Sequence, residues 1–274
     1  VNKKTFVFYV ILRVLVLLTL IRSLLTQNYE SAATCVLVLI LFLAPAFVAD
    51  KMDLTIPSMF QVIIFAFIFA AEILGEIGHF YVRIPGWDTI LHTINGFLFA
   101  AVGFSLIYLL NRGSTRFNVS PFYMAIVAFC FSMTIGVLWE FFECAMDLLV
   151  HSDMQKDFIV QTVNSVTLDP QQAGAVIHVK DIVSTAIHTA AGDTITIQGG
   201  FLDIGILDTM KDLLVNMIGA VVFSVIGYVS LRTSKTSKVA ESLMLKPNAP
   251  SDPSDPSGSS RISPKEFPDR PPFA

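Results

Sequence analysis

Four sets of polar residues lie within long apolar stretches of this chain: Glu72, Glu76 and His79; Asp88, His92 and Asn95; Glu140, Glu143 and Asp147; and Asp208, Asp212 and Asn216. An ionisable side chain in hydrocarbon is costly, and it is kept where it pairs, binds an ion or relays a proton. At about 100° per residue, each of the first three sets spans about 60° of helical arc, and the fourth spans about 80°. Each set is therefore a stripe, and such a stripe in a membrane helix faces other helices or water. Eight of the twelve residues are carboxylic acids and none is Lys or Arg. Lys211 is nearby, but it lies about 100° round the helix from Asp212 and is expected to point away.

So many carboxylates cannot all ionise in a low dielectric, so they share protons or hold a cation. Two imidazoles among them suit Zn²⁺, Mn²⁺ or Fe²⁺, whereas a carboxylate-only subset would favour Mg²⁺ or Ca²⁺. Asp88, His92, Glu140, Glu143 and Asp212 are the candidate metal ligands. Glu76 or His79 is the candidate general base or acid. Glu72, Asn95, Asp147, Asp208 and Asn216 complete the polar chamber. Plainer roles compete: Asp88 and Asp208 sit where helices start and suit N-caps equally well. Asn95 and Asn216 suit interhelical hydrogen bonds, Asp147 suits a hydrated helix end, and His79 and Trp87 suit the headgroup level. The spacing Asp88-x3-His92 is common by chance, and no HExxH motif occurs.

The elements that must position these groups are membrane helices. The chain is 54% hydrophobic and 15% charged, with a net charge of −4. Its mean hydropathy is +0.67. Soluble domains rarely have this composition, and the mild negative charge argues against nucleic acid as a partner. Cys35, Cys130 and Cys144 lie in apolar segments and form neither a disulfide framework nor a metal knuckle. Six spans are expected, at about 5–26, 33–50, 57–81, 87–111, 121–150 and 208–231. The first follows Lys3 and Lys4 and runs longer than a signal-peptide core, so it reads as a retained helix. Pro85-Gly86 and Pro121 punctuate the starts of the fourth and fifth.

The expected fold class is an all-α polytopic membrane protein, with helices one to five within 1–150 and a sixth at 208–231. Residues 151–207 form an extracytoplasmic insertion of mixed or β character, with strands expected within 158–168, 175–183 and 194–198. Residues 232–274 read as a disordered cytoplasmic tail, rich in Ser, Pro and Asp. Lys3, Lys4, Lys51, Arg112, Arg116, Arg232, Lys235 and Lys238 collect on one side, which places both termini in the cytoplasm of a multi-pass inner-membrane protein. All four polar stripes then fall in the outer third to half of the bilayer, at about 1.5 Å per residue. The two inward-running helices aim their positive dipole ends at them. Gly75, Gly96, Gly136 and Gly219 would let backbones approach closely.

The blocks Pro85-Gly86-Trp87-Asp88-Thr89-Ile90-Leu91-His92-Thr93-Ile94-Asn95-Gly96-Phe97, Gly136-Val137-Leu138-Trp139-Glu140-Phe141-Phe142-Glu143 and Asp208–Ala220 resemble the YjdF-like family of bacterial inner-membrane proteins. The resemblance covers helices three to six, with Trp87, Asp88, His92, Glu140, Glu143, Asp212 and Asn216 at matching positions. It implies a polytopic bacterial membrane protein and supplies no substrate. The long insertion and the proline-rich tail depart from the family pattern.

The expected function is binding of a divalent cation in an outward-facing acidic/His chamber, in a metal-dependent enzyme acting on a lipid-linked or envelope substrate. One alternative is a cation- or proton-coupled transporter. It predicts polar groups continuing to the cytoplasmic side, yet Phe97–Leu110 is almost wholly apolar. The other is a structural or sensory membrane protein whose acidic cluster only fixes helix packing.

Overall fold

The computed structural model describes residues 3–112, 119–233 and 242–247. Six of its helical spans are long and apolar enough to cross a membrane. The first is α1 (Lys3–Leu25), and the second combines α2 (Tyr29–Leu41) with α3 (Ala44–Lys51). The third joins α4 (Ser58–Ile68) to a π-helical stretch, Phe69–Ile77. A short α5 (Phe80–Arg83) precedes α6 (Trp87–Arg112), α7 (Pro121–Val150) and α8 (Ile206–Arg232). Local chemistry sets the boundaries. The Asn28 side chain caps α2 by accepting from Ser31 N–H at 3.0 Å. Ser120 does the same for α7 through Tyr123 N–H, with Pro121 in the first turn. Gly86 adopts φ +79° just before α6, a left-handed value that a Cβ would strain.

The helices pack around two cores. Leu12 and Val16 of α1, Cys35 and Val38 of α2, and Phe65 and Ile73 of the third span build one. In it, the rings of Tyr9, Phe42 and Phe65 meet at 4.8–5.9 Å between centroids. The other lies between α6, α7 and α8, with Phe104, Ala128 and Phe223 fully buried and Phe60 of α4 against them. Around both, large apolar side chains such as Phe6, Leu18, Ile40, Phe141 and Leu149 point outward. A folded chain that must face lipid exposes such a surface.

The segment between α7 and α8 is the small β region expected from composition. The sheets are two-stranded and antiparallel. β2 (Ile159–Val160) pairs with β7 (Phe201–Leu202), and β3 (Val163–Ser165) pairs with β4 (Ile177–Val179). β5 (Ser184–His188) forms a hairpin with β6 (Thr194–Gln198). The expected run 158–168 is thus split between two partners. A left-handed Asp181 (φ +55°) divides β4 from β5, a strand that composition did not single out.

One short stretch of the expected tail, 242–247, is ordered against the helices. Leu243 and Leu245 are buried in the α6–α8 core, and Leu245 N–H donates to Ser105 Oγ of α6 at 3.0 Å. Lys246–Pro247 (β8) pairs with Leu54–Thr55 (β1). The apolar run Leu243-Met244-Leu245 interrupts an otherwise polar tail and gains by burial. The rest of the tail expected to be disordered, 234–241 and 248–274, lies outside the described residues.

Candidate cation site at one end of the bundle

The site is built where α6, α7 and α8 converge. On α6, Asp88 occupies the first turn and His92 follows one turn later, so both project from one stripe. On α8, Asp208, Asp212 and Asn216 repeat at four-residue spacing and are all buried. Glu140 and Glu143 are the buried acids of α7. His92 is the hub. Its Nε2 lies 3.4 Å from Asp88 Oδ1 and 3.9 Å from Asp212 Oδ2, and its Nδ1 lies 3.7 Å from Glu140 Oε1. Among the described residues, Asp88, His92 and Asp212 offer one ligand atom each within 4.8 Å of one another.

Glu140 is the unusual member. Its side chain is 4% exposed, and neither carboxylate oxygen has a hydrogen-bond partner. The Thr209 hydroxyl is a polar neighbour that stops short of hydrogen-bonding geometry. A buried polar atom without a partner in the protein calls for an explanation, such as local strain, a catalytic role, an ordered water or a bound ion. Glu143, by contrast, accepts from Trp139 Nε1 at 2.7 Å.

Below the cluster, Asn95 Nδ2 donates to Asn216 Oδ1 at 3.1 Å and closes the floor between α6 and α8. The backbones touch here. A Cβ on Gly96 would strike the Asn216 carbonyl, and one on Gly219 would strike the Thr93 carbonyl. Gly136 makes room for the Asn216 amide, whereas Gly75 faces the Tyr81 ring rather than another long helix.

Above the cluster, residues 152–158 form a cap bound to helix ends. Asp147 accepts from Ser152 Oγ at 3.0 Å, Met154 N–H at 2.6 Å and Gln155 N–H at 2.8 Å. It therefore holds the cap, with its oxygens turned away from a ligand role. Asp208 sits in the first turn of α8 behind the N-cap residue Gly205, and its Oδ2 accepts from Lys156 N–H at 2.9 Å. Neither Asp88 nor Asp208 is an N-cap residue, since each lies inside its helix.

Asp203 ties the far end of the cap to the start of α8. It accepts from Phe158, Leu207 and Gly205 N–H at 2.7, 2.8 and 3.2 Å. Partial burial pushes its carboxyl up, and these three donors more than offset that, holding it below the usual carboxylate range. A depressed folded-state pKa gives stability that is present above the unfolded value, about 4, and is lost as pH falls through the folded one. The protection factors of the Phe158, Gly205 and Leu207 amides, taken against the intrinsic exchange rate at each pH, are therefore expected to fall once pH drops below about 4. Asp203→Asn is expected to show the same opening at neutral pH. Unchanged protection in both would remove Asp203 as the cap's anchor.

Two expectations need correction. Lys211 does not point away. Its Nζ lies 2.5 Å from Asp208 Oδ1, 3.3 Å from Asp88 Oδ2 and 3.5 Å from Asp212 Oδ1. Angular position fixes only the Cα–Cβ direction, and a four-carbon stem reaches back over the preceding turn. Nor do Glu72, Glu76 and His79 form one α-helical stripe. The π-helical hydrogen bonding, such as Gly78 N–H to Ile73 carbonyl, winds them off the 3.6-residue register. His79 lies past the helix end at φ +58°, and both it and Glu76 are exposed. Among the described residues, no hydrogen bond or ion pair joins these three to the His92 cluster. Tyr81 lies within electrostatic reach of both groups, a neighbour that the polar pattern did not select.

A family described as predicted membrane protein (DUF2238) matches residues 8–233. The chain belongs to the DUF2238 family. The match takes in the first span from residue 8, the other five spans, the cap and the whole cluster, and the YjdF-like family suggested by the three sequence blocks is this same family. No curated protein and no solved structure matches this DUF2238 chain.

Proposed function

We propose that this protein binds one divalent transition cation through Asp88, His92 and Asp212, with Glu140 completing the donor set. The reading rests on one observation. Three ligand atoms from two helices converge within 4.8 Å, beside a buried Glu140 whose oxygens have no hydrogen-bond partner. One imidazole among carboxylates suits Zn²⁺, Mn²⁺ or Fe²⁺. With both termini cytoplasmic in a bacterial inner membrane, as the Lys and Arg placement favours, the chamber opens outward beneath the 152–158 cap. A cation here would supply Lewis-acid chemistry, so an enzyme acting on a lipid-linked or envelope substrate is the leading role. Glu143 stands beside the cluster, so proton transfer fits it better than the exposed Glu76 and His79.

A carrier using the same carboxylates needs a polar route onward. Instead, Phe97, Phe104 and Phe223 stack edge to face beyond the Asn95–Asn216 floor, and Leu243 and Leu245 fill the far end. That apolar filling favours the enzyme. The test is elemental analysis and thermal melting of detergent-purified protein. Wild type is expected to carry about one Zn, Mn or Fe per chain and to melt higher when Mn²⁺ is added. His92→Ala is expected to lose both properties. A well-folded wild type with no metal and no shift would end this reading.

A further inference from the structure

We infer that Lys211 is a built-in competitor for the cation site, an ammonium that must swing aside before a divalent ion can bind. The inference rests on the cation reading above. Each of the two carboxylate ligands divides its oxygens. Asp88 Oδ1 and Asp212 Oδ2 face His92, while Asp88 Oδ2 and Asp212 Oδ1 face the Lys211 ammonium at 3.3 and 3.5 Å. The ammonium thus sits against oxygens that an incoming cation would use.

It is fastened elsewhere. Its hydrogen bond runs to Asp208 Oδ1 at 2.5 Å, while Asp88 Oδ2 and Asp212 Oδ1 have no hydrogen-bond partner despite their nearness. Lys211 therefore neutralises the two ligands without satisfying them, and a better-placed cation would gain both. Asp208 also binds the cap through Lys156 N–H, so the pivot itself stays fixed.

A place for the displaced group is present. With Nζ facing Asp88 and Asp212, the Phe158 ring of the cap already lies with its centroid 5.5 Å away, in the outer range of cation–π attraction, so a swing towards the ring would strengthen that contact. The Lys211 side chain is 35% exposed, so it stands at the mouth, whereas Asp212 is 1% exposed. An ammonium pivoting on Asp208 towards Phe158 opens the ligand oxygens and moves its charge away from the incoming ion. Like charges at about 4 Å repel strongly at protein-like dielectric, so the ammonium and a divalent ion cannot share the position.

The experiment is Mn²⁺ binding to the full-length protein in detergent, for wild type, Lys211→Met, Lys211→Arg and Phe158→Leu. Folding is checked by a monodisperse elution profile. Lys211→Met is expected to bind Mn²⁺ about tenfold more tightly than wild type, or better. Lys211→Arg, which keeps the charge, is expected to show no gain. Phe158→Leu removes the resting place and is expected to weaken binding severalfold. Wild-type binding that Lys211→Met leaves unchanged or weakens would overturn the competitor role while leaving the cation site standing. Should Lys211→Met not fold, an unchanged affinity in Phe158→Leu would overturn it in the same way. Absence of Mn²⁺ binding in every well-folded variant would overturn the site and the competitor together.

Discussion

Gly219→Ala is expected to lower the unfolding midpoint in detergent steeply, at a cost of about 3 kcal/mol or more, and to abolish cation binding at the far side of the same interface. The reason is the identity of the atoms a methyl group would meet. At Gly219 it would overlap the Thr93 carbonyl oxygen and press on Phe97 N at 2.8 Å, and at Gly96 it would overlap the Asn216 carbonyl. All are backbone atoms on facing helices, which no rotamer change can move. Between membrane helices little hydrophobic drive remains, so close packing is a main source of association. Forcing α6 and α8 apart would also stretch the Asn95–Asn216 bond and the approach of His92 to Asp212. Gly103→Ala is the control. Its new methyl would meet Cβ of Phe131 at 2.9 Å and the ring at 3.0 Å, a far smaller overlap than the one at Gly219, so a smaller loss is expected. The double variant Gly96→Ala/Gly219→Ala should cost less than the sum, because the first substitution already parts the helices. Equal midpoints for Gly219→Ala and Gly103→Ala would contradict the backbone contact.

The same interface shows which features a sequence can carry. The stripes Asp88/His92 and Asp208/Asp212/Asn216 were legible because apolar surroundings force polar groups on a regular α-helix to one face, and four-residue spacing preserves that face. The small residues at 96 and 219 were legible for a related reason, since only close helices need them. The failures come from features outside that regularity. A π-helical stretch leaves no mark in a 3.6-residue count, so Glu72, Glu76 and His79 read as one stripe when His79 lies beyond the helix. Lys211 was misplaced because a long side chain is not confined to its Cβ direction. Asp147 and Asp208 sit at a chain reversal, and whether such a carboxylate binds cap N–H groups or faces inward depends on loop geometry that spacing does not encode. Leu243 and Leu245 escaped because a three-residue apolar run is too short for any periodicity, although its contrast with the polar tail was visible.

Glu140→Met is expected to stabilise the metal-free protein, raising its unfolding free energy by about 1–3 kcal/mol, while removing the melting shift produced by Mn²⁺. Buried in α7 with two unsatisfied oxygens and with His92 Nδ1 at 3.7 Å, this carboxyl group loses hydration and recovers little of it within the fold. Methionine is close to it in volume and carries no polar oxygens to desolvate. Asp212→Asn should behave in the opposite way, because Asp212 faces both His92 and Lys211, and its neutralisation leaves those groups less compensated. Glu140→Gln is expected to fall between the two, since its amide is also buried without partners. A carboxylate kept for packing alone should cost stability when replaced, whatever metal is present. A gain in the metal-free state combined with loss of the metal-dependent shift would instead mark Glu140 as a residue retained at the expense of the fold. A drop in the metal-free midpoint for Glu140→Met, as large as that for Asp212→Asn, would assign the cluster to structure and remove the reason to look for a cation there.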